Sequence, residues 1–210
     1  MLPNKCVSLR STLDWPCLFD GWWPNLFMKL WLIRHAKPRI DAGVCYGSTD
    51  VAAYVQETGV IAQALASTLP SGVKVVTSPL QRCRQLAAHL KLLRPDLSPA
   101  EELRLQEMDF GTWEGRRWDD IDRADLDAWA AEFASWRCGG AESVADFTGR
   151  VGSVWDETHA VGDDTAWITH AGVIRAVMLI KSGLRQVEHS AQWPCESIAF
   201  GHISMLESAS

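Results

Sequence analysis

The sequence predicts an α/β protein with a three-layer α/β/α architecture and a mostly parallel central sheet. Short apolar runs alternate along the chain with longer segments whose apolar residues recur every three or four positions, as in strands and amphipathic helices. The chain has 210 residues, enough for one domain with a real core. Its composition, 47% hydrophobic and 22% charged, is that of a globular protein and excludes a disordered chain, a collagen-like repeat and a membrane bundle.

The first half of the chain contains two strand and helix pairs. Thr58 is predicted as the cap of the first helix, and Pro70 ends it. Ser78 followed by Pro79 predicts the start of the second helix, because a hydroxyl suits the N-cap and proline suits the first helical position. The predicted boundaries are strand 30–34, helix 58–69, strand 73–77 and helix 78–94.

The second half repeats this alternation. Ser143 is a predicted helix cap, and Gly183 ends a later helix. The predicted boundaries are helix 116–136, helix 145–159, strand 166–169, helix 173–182 and a weak strand 197–206. Strands separated by helices are joined by crossovers and run parallel, so their carboxyl ends meet at one edge, where ligands bind. The chemistry should therefore follow residues 34, 77 and 169.

Histidine and arginine side chains follow all three of these strands. The residues are Arg34-His35, Ser78-Pro79-Leu80-Gln81-Arg82 and His170-Ala171-Gly172. Each alone is a weak signal, because a single histidine after a strand is more often structural, but their joint placement suits a phosphate monoester. A guanidinium fork binds two phosphate oxygens at once, so Arg34 and Arg82 are candidate phosphate clamps. One neutral imidazole can attack phosphorus while the second, protonated, shares the charge of the phosphoryl oxygens.

Four motifs in this order resemble the histidine phosphatase superfamily, the phosphoglycerate-mutase-like enzymes. They are Arg34-His35-Ala36, Ser78-Pro79-Leu80-Gln81-Arg82, Glu107-Met108-Asp109-Phe110-Gly111-Thr112-Trp113-Glu114-Gly115 and Thr169-His170-Ala171-Gly172, within about residues 29–206. The resemblance implies a phosphoglycerate-mutase-like fold. It implies that His35 is the phosphohistidine nucleophile, that Glu107 is the proton donor, and that Arg34, Arg82 and His170 form the phosphate pocket. It implies no metal and no organic cofactor.

Two runs are similar to alpha-ribazole phosphatases of cobalamin biosynthesis. One is Cys45-Tyr46-Gly47-Ser48-Thr49-Asp50, and the other combines residues 107–115 with Trp118-Asp119. Alpha-ribazole 5′-phosphate is therefore the expected substrate. Tyr46 and Thr49 are candidate contacts for a nucleoside-like leaving group, whereas Trp113 and Trp118 are expected to serve packing.

The sequence also departs from the family pattern. Ala36 replaces the usual glycine after the nucleophile, Lys37-Pro38 replaces a threonine or serine, and Asp41 stands where many members have asparagine. An additional carboxylate beside a phosphate pocket is unfavourable. These departures bear on substrate identity more than on catalysis.

The net charge and the cysteine content indicate which partners and which cellular compartment to expect. The net charge of −6 and the lack of a basic block argue against nucleic-acid binding, so the expected partner is a small phosphorylated metabolite, without a membrane. Six cysteines without a dense framework favour a cytoplasmic protein. Residues 28–210 are predicted as the histidine phosphatase domain, and residues 1–27 as an N-terminal extension, Met28 being an alternative start.

Other functions remain open at this point. A broad-specificity or sugar phosphatase and a phosphoglycerate mutase would use the same chemistry. A non-catalytic module that binds a phosphorylated ligand could use the same arginines, but it would not need an acid at Glu107. A nucleotide kinase is disfavoured, because the phosphate-binding run G-x-x-x-x-G-K-[ST] is absent from the sequence.

Overall fold

A computed structural model of the protein describes residues 27–209. The predicted extension, residues 1–27, lies outside the described residues except for Phe27, where the first strand begins. The described chain contains the strands β1 (Phe27–Arg34), β2 (Lys74–Thr77), β3 (Ala100–Glu101), β4 (Thr165–Thr169) and β5 (Ile203–Ala209). In the sheet they lie in the order β3-β2-β4-β1-β5. The pairings from β3 to β1 are parallel, and β5 pairs antiparallel with β1.

Helices cover both faces of the sheet, and the predicted three-layer fold is confirmed. The helices are α1 (Val55–Thr68), α2 (Gln81–Leu93), α3 (Arg123–Ala131), α4 (Val144–Val161) and α5 (Ala171–Lys181). Successive side chains of a strand point to opposite faces. Leu30 and Leu32 of β1 accordingly pack in a core with residues of α4 and α5, whereas Trp31 and Ile33 pack with residues of α1 and α2. Among residues 27–209, no helix is both long and apolar enough to cross a bilayer.

Two predicted helix starts are wrong. Helix α1 begins at Val55, and Thr58 lies buried in its first turn, where the hydroxyl donates to the Tyr54 carbonyl instead of capping the helix. Helix α2 begins at Gln81, with Leu80 as its N-cap residue. Ser78, the predicted cap, is fully buried, and its hydroxyl accepts a hydrogen bond from the Leu80 N–H. The predicted cap of α4 is confirmed: Ser143 forms a capping box with Asp146.

The predicted helix 116–136 is much shorter than expected. A single 3₁₀ turn, Trp118–Asp120, precedes α3, which has nine residues and begins after its N-cap, Asp122. The Asp122 carboxylate accepts from the Ala124 N–H, and this local bond sets the helix start. The apolar spacing predicted one long helix because it contains no information about such a break. The weak strand predicted at 197–206 lies later, as β5, and the short β3 was not predicted.

Candidate active site

The three strand ends meet as the sequence predicts. Strands β2, β4 and β1 are neighbours in the sheet, and the backbone bonds continue past their ends: the His35 N–H donates to the Thr169 carbonyl at 3.0 Å, and the Ser78 N–H donates to the Ile168 carbonyl at 2.9 Å. His35 and His170 are consequently brought together, with ring centroids 5.1 Å apart. The sheet register thus brings together residues that lie far apart in the sequence.

His35 is held as a neutral imidazole with one nitrogen free. Its Nδ1 lies 2.6 Å from the Ala36 carbonyl, which can only accept, so Nδ1 carries the proton and Nε2 carries the lone pair. Burial lowers the pKa of His35 well below its usual value, and the charges of Arg82 and Arg34 lower it further. The lone pair of Nε2 is therefore available at neutral pH.

His170 is also neutral, contrary to the protonated form expected from the sequence. Burial lowers the pKa of His170 well below its usual value, and the charge of Arg82 adds to this effect. Arg82 Nε donates to His170 Nδ1 at 3.2 Å, and His170 Nε2 lies 2.8 Å from the Ser78 hydroxyl. Since Nδ1 accepts, the single ring proton is on Nε2, which donates to Ser78.

Arg82 lies in the first turn of α2, as predicted, and is fully buried. Besides the bond to His170, Nη1 donates to the Thr49 carbonyl at 2.8 Å and Nη2 donates to the Gly47 carbonyl at 2.6 Å. In the part of the chain that the structure describes, Arg82 forms no ion pair with a carboxylate. Its charge is therefore solvated only by neutral groups, which suits a residue that binds an anion.

Glu107 reaches the N-terminus of α5. Its Oε2 accepts from the Gly172 N–H at 3.0 Å. A Cβ atom at Gly172 would overlap Glu107 Oε1 and would lie 3.0 Å from Glu107 Cδ, so only glycine lets the carboxylate approach the helix this closely. The charge of Glu107 also acts on the nearby Arg34. The glutamate that the resemblance implied is thus placed beside the two histidine-bearing strand ends.

The backbone before Glu107 is fixed by a second arginine. Arg150 donates to the carbonyls of Arg104, Gln106 and Glu107, at 2.6, 2.8 and 3.1 Å. Its guanidinium is itself paired with Glu142, at 2.7 Å between Nε and Oε1. The other carboxylate oxygen of Glu142 accepts from the Asp109 N–H at 3.1 Å. The half-buried Arg150–Glu142 pair therefore fixes the position of Glu107.

A cavity of about 270 Å³ opens beside Glu107 and Arg34. Seven aromatic rings contribute to its walls: Tyr46, Phe110, Trp118, Trp129, Phe133, Phe147 and Trp193. Several of these rings contact one another, and Trp129 stacks on Phe133 with centroids 5.5 Å apart. Trp113 is buried in the packing behind them, as expected, whereas Trp118 lines the cavity. We call this space the aromatic cavity.

Phe200 packs against His35 and against Arg34, which lines the aromatic cavity. The Phe200 ring lies 3.9 Å from the Arg34 guanidinium carbon and 5.7 Å from the His35 ring, centroid to centroid. His35 is only 2% exposed as a result, while Phe200 is 38% exposed. Arg34 also donates to the Ile198 carbonyl, two residues before Phe200. The Phe200 ring therefore contributes to the burial of His35.

The two candidate substrate contacts on the loop after Cys45 differ in placement. Tyr46 lines the aromatic cavity, and the Arg82 guanidinium lies 5.3 Å from its ring centroid. Thr49 does not line this cavity. Its hydroxyl and its N–H both donate to Glu114, and its carbonyl accepts from Arg82. Thr49 therefore fixes the loop that holds Arg82.

Glu114 anchors this loop from the other side. It also accepts from the N–H and the hydroxyl of Ser48, at 2.7 and 2.9 Å, and from the Phe110 N–H at 3.0 Å. Burial opposes ionisation of Glu114, but the hydrogen bonds from Thr49, Phe110 and Ser48 hold its pKa below the usual value. A stable carboxylate thus ties the Tyr46 loop to the segment that follows Glu107.

Among the departures from the family pattern, Ala36 contacts His35, whereas Lys37 and Asp41 are exposed. Ala36 is buried, and its carbonyl orients His35. Lys37 and Asp41 are both exposed and line an outer cavity of about 510 Å³, which shares Tyr46 and Trp118 with the aromatic cavity. The additional carboxylate is therefore exposed to solvent, which screens its charge. Within residues 27–209, no group of three or more His, Cys, Asp or Glu side chains is placed to hold a metal ion.

Three site residues were not identified from the sequence. Ser78 was interpreted as a helix cap but bonds His170. Arg175, which lines the aromatic cavity, follows Gly172 by one helical turn, and this spacing could have placed it on the same face of α5. Phe200 lies in an irregular stretch, where no sequence pattern indicates a contact with His35.

Comparison with known protein families shows to which superfamily the chain belongs. The model of the histidine phosphatase superfamily (branch 1) matches residues 30–202. The chain belongs to this superfamily. The predicted resemblance to the superfamily is therefore confirmed, and His35, Glu107 and His170 all lie within the matched region. A comparison with curated proteins found no match.

Solved structures share the fold of this histidine phosphatase. The mycobacterial glucosyl-3-phosphoglycerate phosphatase matches with a TM-score of 0.62 and 23% identity over 73% of this chain and 79% of that chain. "Mycobacterial hydrolase 1" matches with a TM-score of 0.72 and 21% identity, covering 86% and 92%. Protein TTHB049 of Thermus thermophilus matches with a TM-score of 0.64 and 26% identity, covering 85% and 93%.

The two buried histidines predict a loss of stability on acidification. Near pH 6.5 the unfolded chain protonates both imidazoles, whereas the folded chain keeps them neutral because their pKa values are lowered. The unfolded state then binds more protons, so the free energy of unfolding falls below pH 6.5, by at most about 1.4 kcal/mol per pH unit for each histidine. Urea unfolding at pH 7.5 and 5.5 measures this slope. His35→Asn should reduce the slope, whereas His202→Gln, at an exposed position, should not; an unchanged slope in His35→Asn would contradict the analysis.

Proposed function

We propose that this protein is a phosphomonoester hydrolase that forms a phosphohistidine at His35. The observation that carries the proposal is the free Nε2 of a buried neutral His35 beside Arg34 and Arg82. No carboxylate pairs with Arg34 or Arg82 among the ion pairs of residues 27–209. Both guanidinium groups can therefore offset the two charges of a phosphate dianion.

The reaction has two steps. In the first, His35 Nε2 attacks phosphorus, the P–N bond forms, the P–O bond to the leaving group breaks, and Glu107, which enters this step as the carboxylic acid, gives its proton to the departing oxygen. In the second, water attacks the phosphohistidine, Glu107 takes a proton from this water, and the P–N bond breaks. His170 donates from Nε2 to Ser78 in the protein itself. Its ring lies 5.1 Å from that of His35, centroid to centroid, so it would hold the phosphoryl group by turning this N–H from Ser78 to a phosphoryl oxygen.

We further propose alpha-ribazole 5′-phosphate as the substrate. The similarity of residues 45–50, and of residues 107–115 with Trp118-Asp119, to alpha-ribazole phosphatases supports this assignment, and the aromatic cavity adds a physical reason. A flat benzimidazole ring that buries about 100 Å² among these rings gains about 2.5 kcal/mol, or roughly 70-fold in binding. A sugar phosphate gains little from such walls. This preference distinguishes the proposal from a sugar phosphatase or a phosphoglycerate mutase.

Replacement of His35 tests the nucleophile. His35→Ala should abolish turnover because no other side chain in the site offers a free lone pair at this position. Rapid mixing with a phosphorus-labelled substrate, followed by quenching in base, should trap acid-labile label on the wild-type protein and none on the variant. Arg123→Met, on the surface of α3, serves as the control. Turnover without trapped label at any mixing time would favour direct attack by water.

Replacement of Glu107 tests the acid. Glu107→Gln should slow alkyl phosphates by about 10²- to 10⁴-fold and p-nitrophenyl phosphate far less, because nitrophenolate leaves without a proton. Gly172→Ala should give the same pattern, since its methyl group displaces the carboxylate. Gly149→Ala, in α4 with open space around it, should leave both rates unchanged. Equal losses with both substrates would exclude the acid role.

A comparison of substrates tests the proposed leaving group. The ratio kcat/KM should be higher for alpha-ribazole 5′-phosphate than for glucose 6-phosphate or 3-phosphoglycerate, by the factor estimated for ring burial. Trp129→Ala should lower kcat/KM for alpha-ribazole 5′-phosphate and leave kcat/KM for glucose 6-phosphate unchanged. Higher values for a sugar phosphate or a phosphoglycerate would assign the protein to another activity of the superfamily. Binding without any turnover would indicate a non-catalytic module.

A further inference from the structure

Arg175 lines the aromatic cavity but takes no part in the phosphohistidine chemistry. It lies on α5 one turn beyond Gly172, whose N–H holds Glu107. A helix rises about 1.5 Å per residue, so Arg175 is about 4.5 Å farther from the histidines along α5 than the group that anchors Glu107. A leaving group that accepts its proton from Glu107 and extends into the aromatic cavity passes this position.

The Arg175 guanidinium is only partly bonded. Nη2 donates to the Glu196 carbonyl at 2.9 Å, while the buried Nε has no hydrogen-bond partner. No carboxylate within residues 27–209 forms an ion pair with Arg175. A half-buried cation with an unused donor is stabilised by any acceptor that enters the cavity. An oxygen atom on the leaving group is such an acceptor.

The present partner of Arg175 belongs to the segment that covers the nucleophile. We call residues 195–200 the covering segment. It contributes the Glu196 carbonyl to Arg175, the Ile198 carbonyl to Arg34 and the Phe200 ring to the face of Arg34. Phe200 packs on His35 and on Arg34, and Glu196 lies only four residues earlier. A displacement of the covering segment would therefore free the donors of both arginines.

We propose that Arg175 is a substrate-binding residue that donates to an oxygen of the leaving group in place of the Glu196 carbonyl. The oxygen is a hydroxyl of a ribose-type sugar, lying between the phosphate at His35 and the ring in the aromatic cavity. The inference rests on the proposed function, because it places the phosphoryl group at His35. It adds that this enzyme selects sugar-linked aromatic phosphates over aromatic phosphates without a sugar.

The test compares two esters that differ in the sugar. The ratio kcat/KM is measured for alpha-ribazole 5′-phosphate and for 1-naphthyl phosphate, in the wild type, in Arg175→Met and in the matched surface variant Arg123→Met. Arg175→Met retains the apolar stem of the side chain but loses every donor. It should lower kcat/KM for the ribosyl ester by about 10- to 100-fold and change that for the naphthyl ester less than about twofold. Arg123→Met should change neither.

The same comparison separates this inference from the proposed function. Equal losses on both esters would show that Arg175 supports the structure or the phosphate site, and no loss on either would show that it does not touch the substrate; both results overturn the inference. Neither result affects phosphohistidine formation, which the trapping experiment measures separately. If Arg175→Met fails to fold, Arg175→Lys replaces it, and its activity on naphthyl phosphate reports folding. The proposed function fails only when the wild type hydrolyses neither ester or forms no phosphohistidine.

Discussion

The Arg82 guanidinium connects three parts of the chain that would otherwise be independent. It joins the start of α2 to the loop at Gly47 and Thr49, and through Nε it joins both to His170 at the end of β4. A buried cation without a carboxylate is costly, so these neutral acceptors must be held in place. Glu114 holds the loop, and Ser78 fixes the proton of His170. The neutral state of both histidines follows largely from their burial and from the charge of Arg82.

Much of the fold was predictable from the sequence because it depends on local periodicity. The apolar strands and the spacing of Leu86 and Leu90 in α2 determine which faces are buried, and the alternation of strands and helices determines a parallel sheet. The helix starts were less predictable. Ser78 and Asp122 are both good caps by residue type, but only Asp122 caps a helix, because the hydroxyl of Ser78 bonds His170 in the folded protein. A cap prediction cannot include a partner that lies 92 residues away.

The residues of the candidate site also divide into those that the sequence could predict and those that it could not. The residues that were identifiable lie at a strand end or shortly after one: Arg34, His35, Arg82 and His170. Glu107 came only from the family resemblance, since it follows no strand and is held by the N–H of a distant helix. Thr49 was expected at the substrate and instead fixes the loop, because Glu114 binds both its hydroxyl and its N–H. Phe200 and Arg175 depend on an irregular segment, whose path no periodic pattern describes.

The covering segment acts on the two cavity arginines through main-chain carbonyls, while its side chains at Cys195, Glu196, Ser197 and Ala199 face outward. It is followed by Gly201, whose N–H lies within bonding distance of the Arg34 and His35 carbonyls, just before β5. A displacement of the covering segment as far as Gly201 would break no hydrogen bond between β1 and β5. Amino-acid replacements at the four outward positions would preserve both arginine contacts, so the surface around the entrance can diverge rapidly among relatives while the chemistry beneath it is retained.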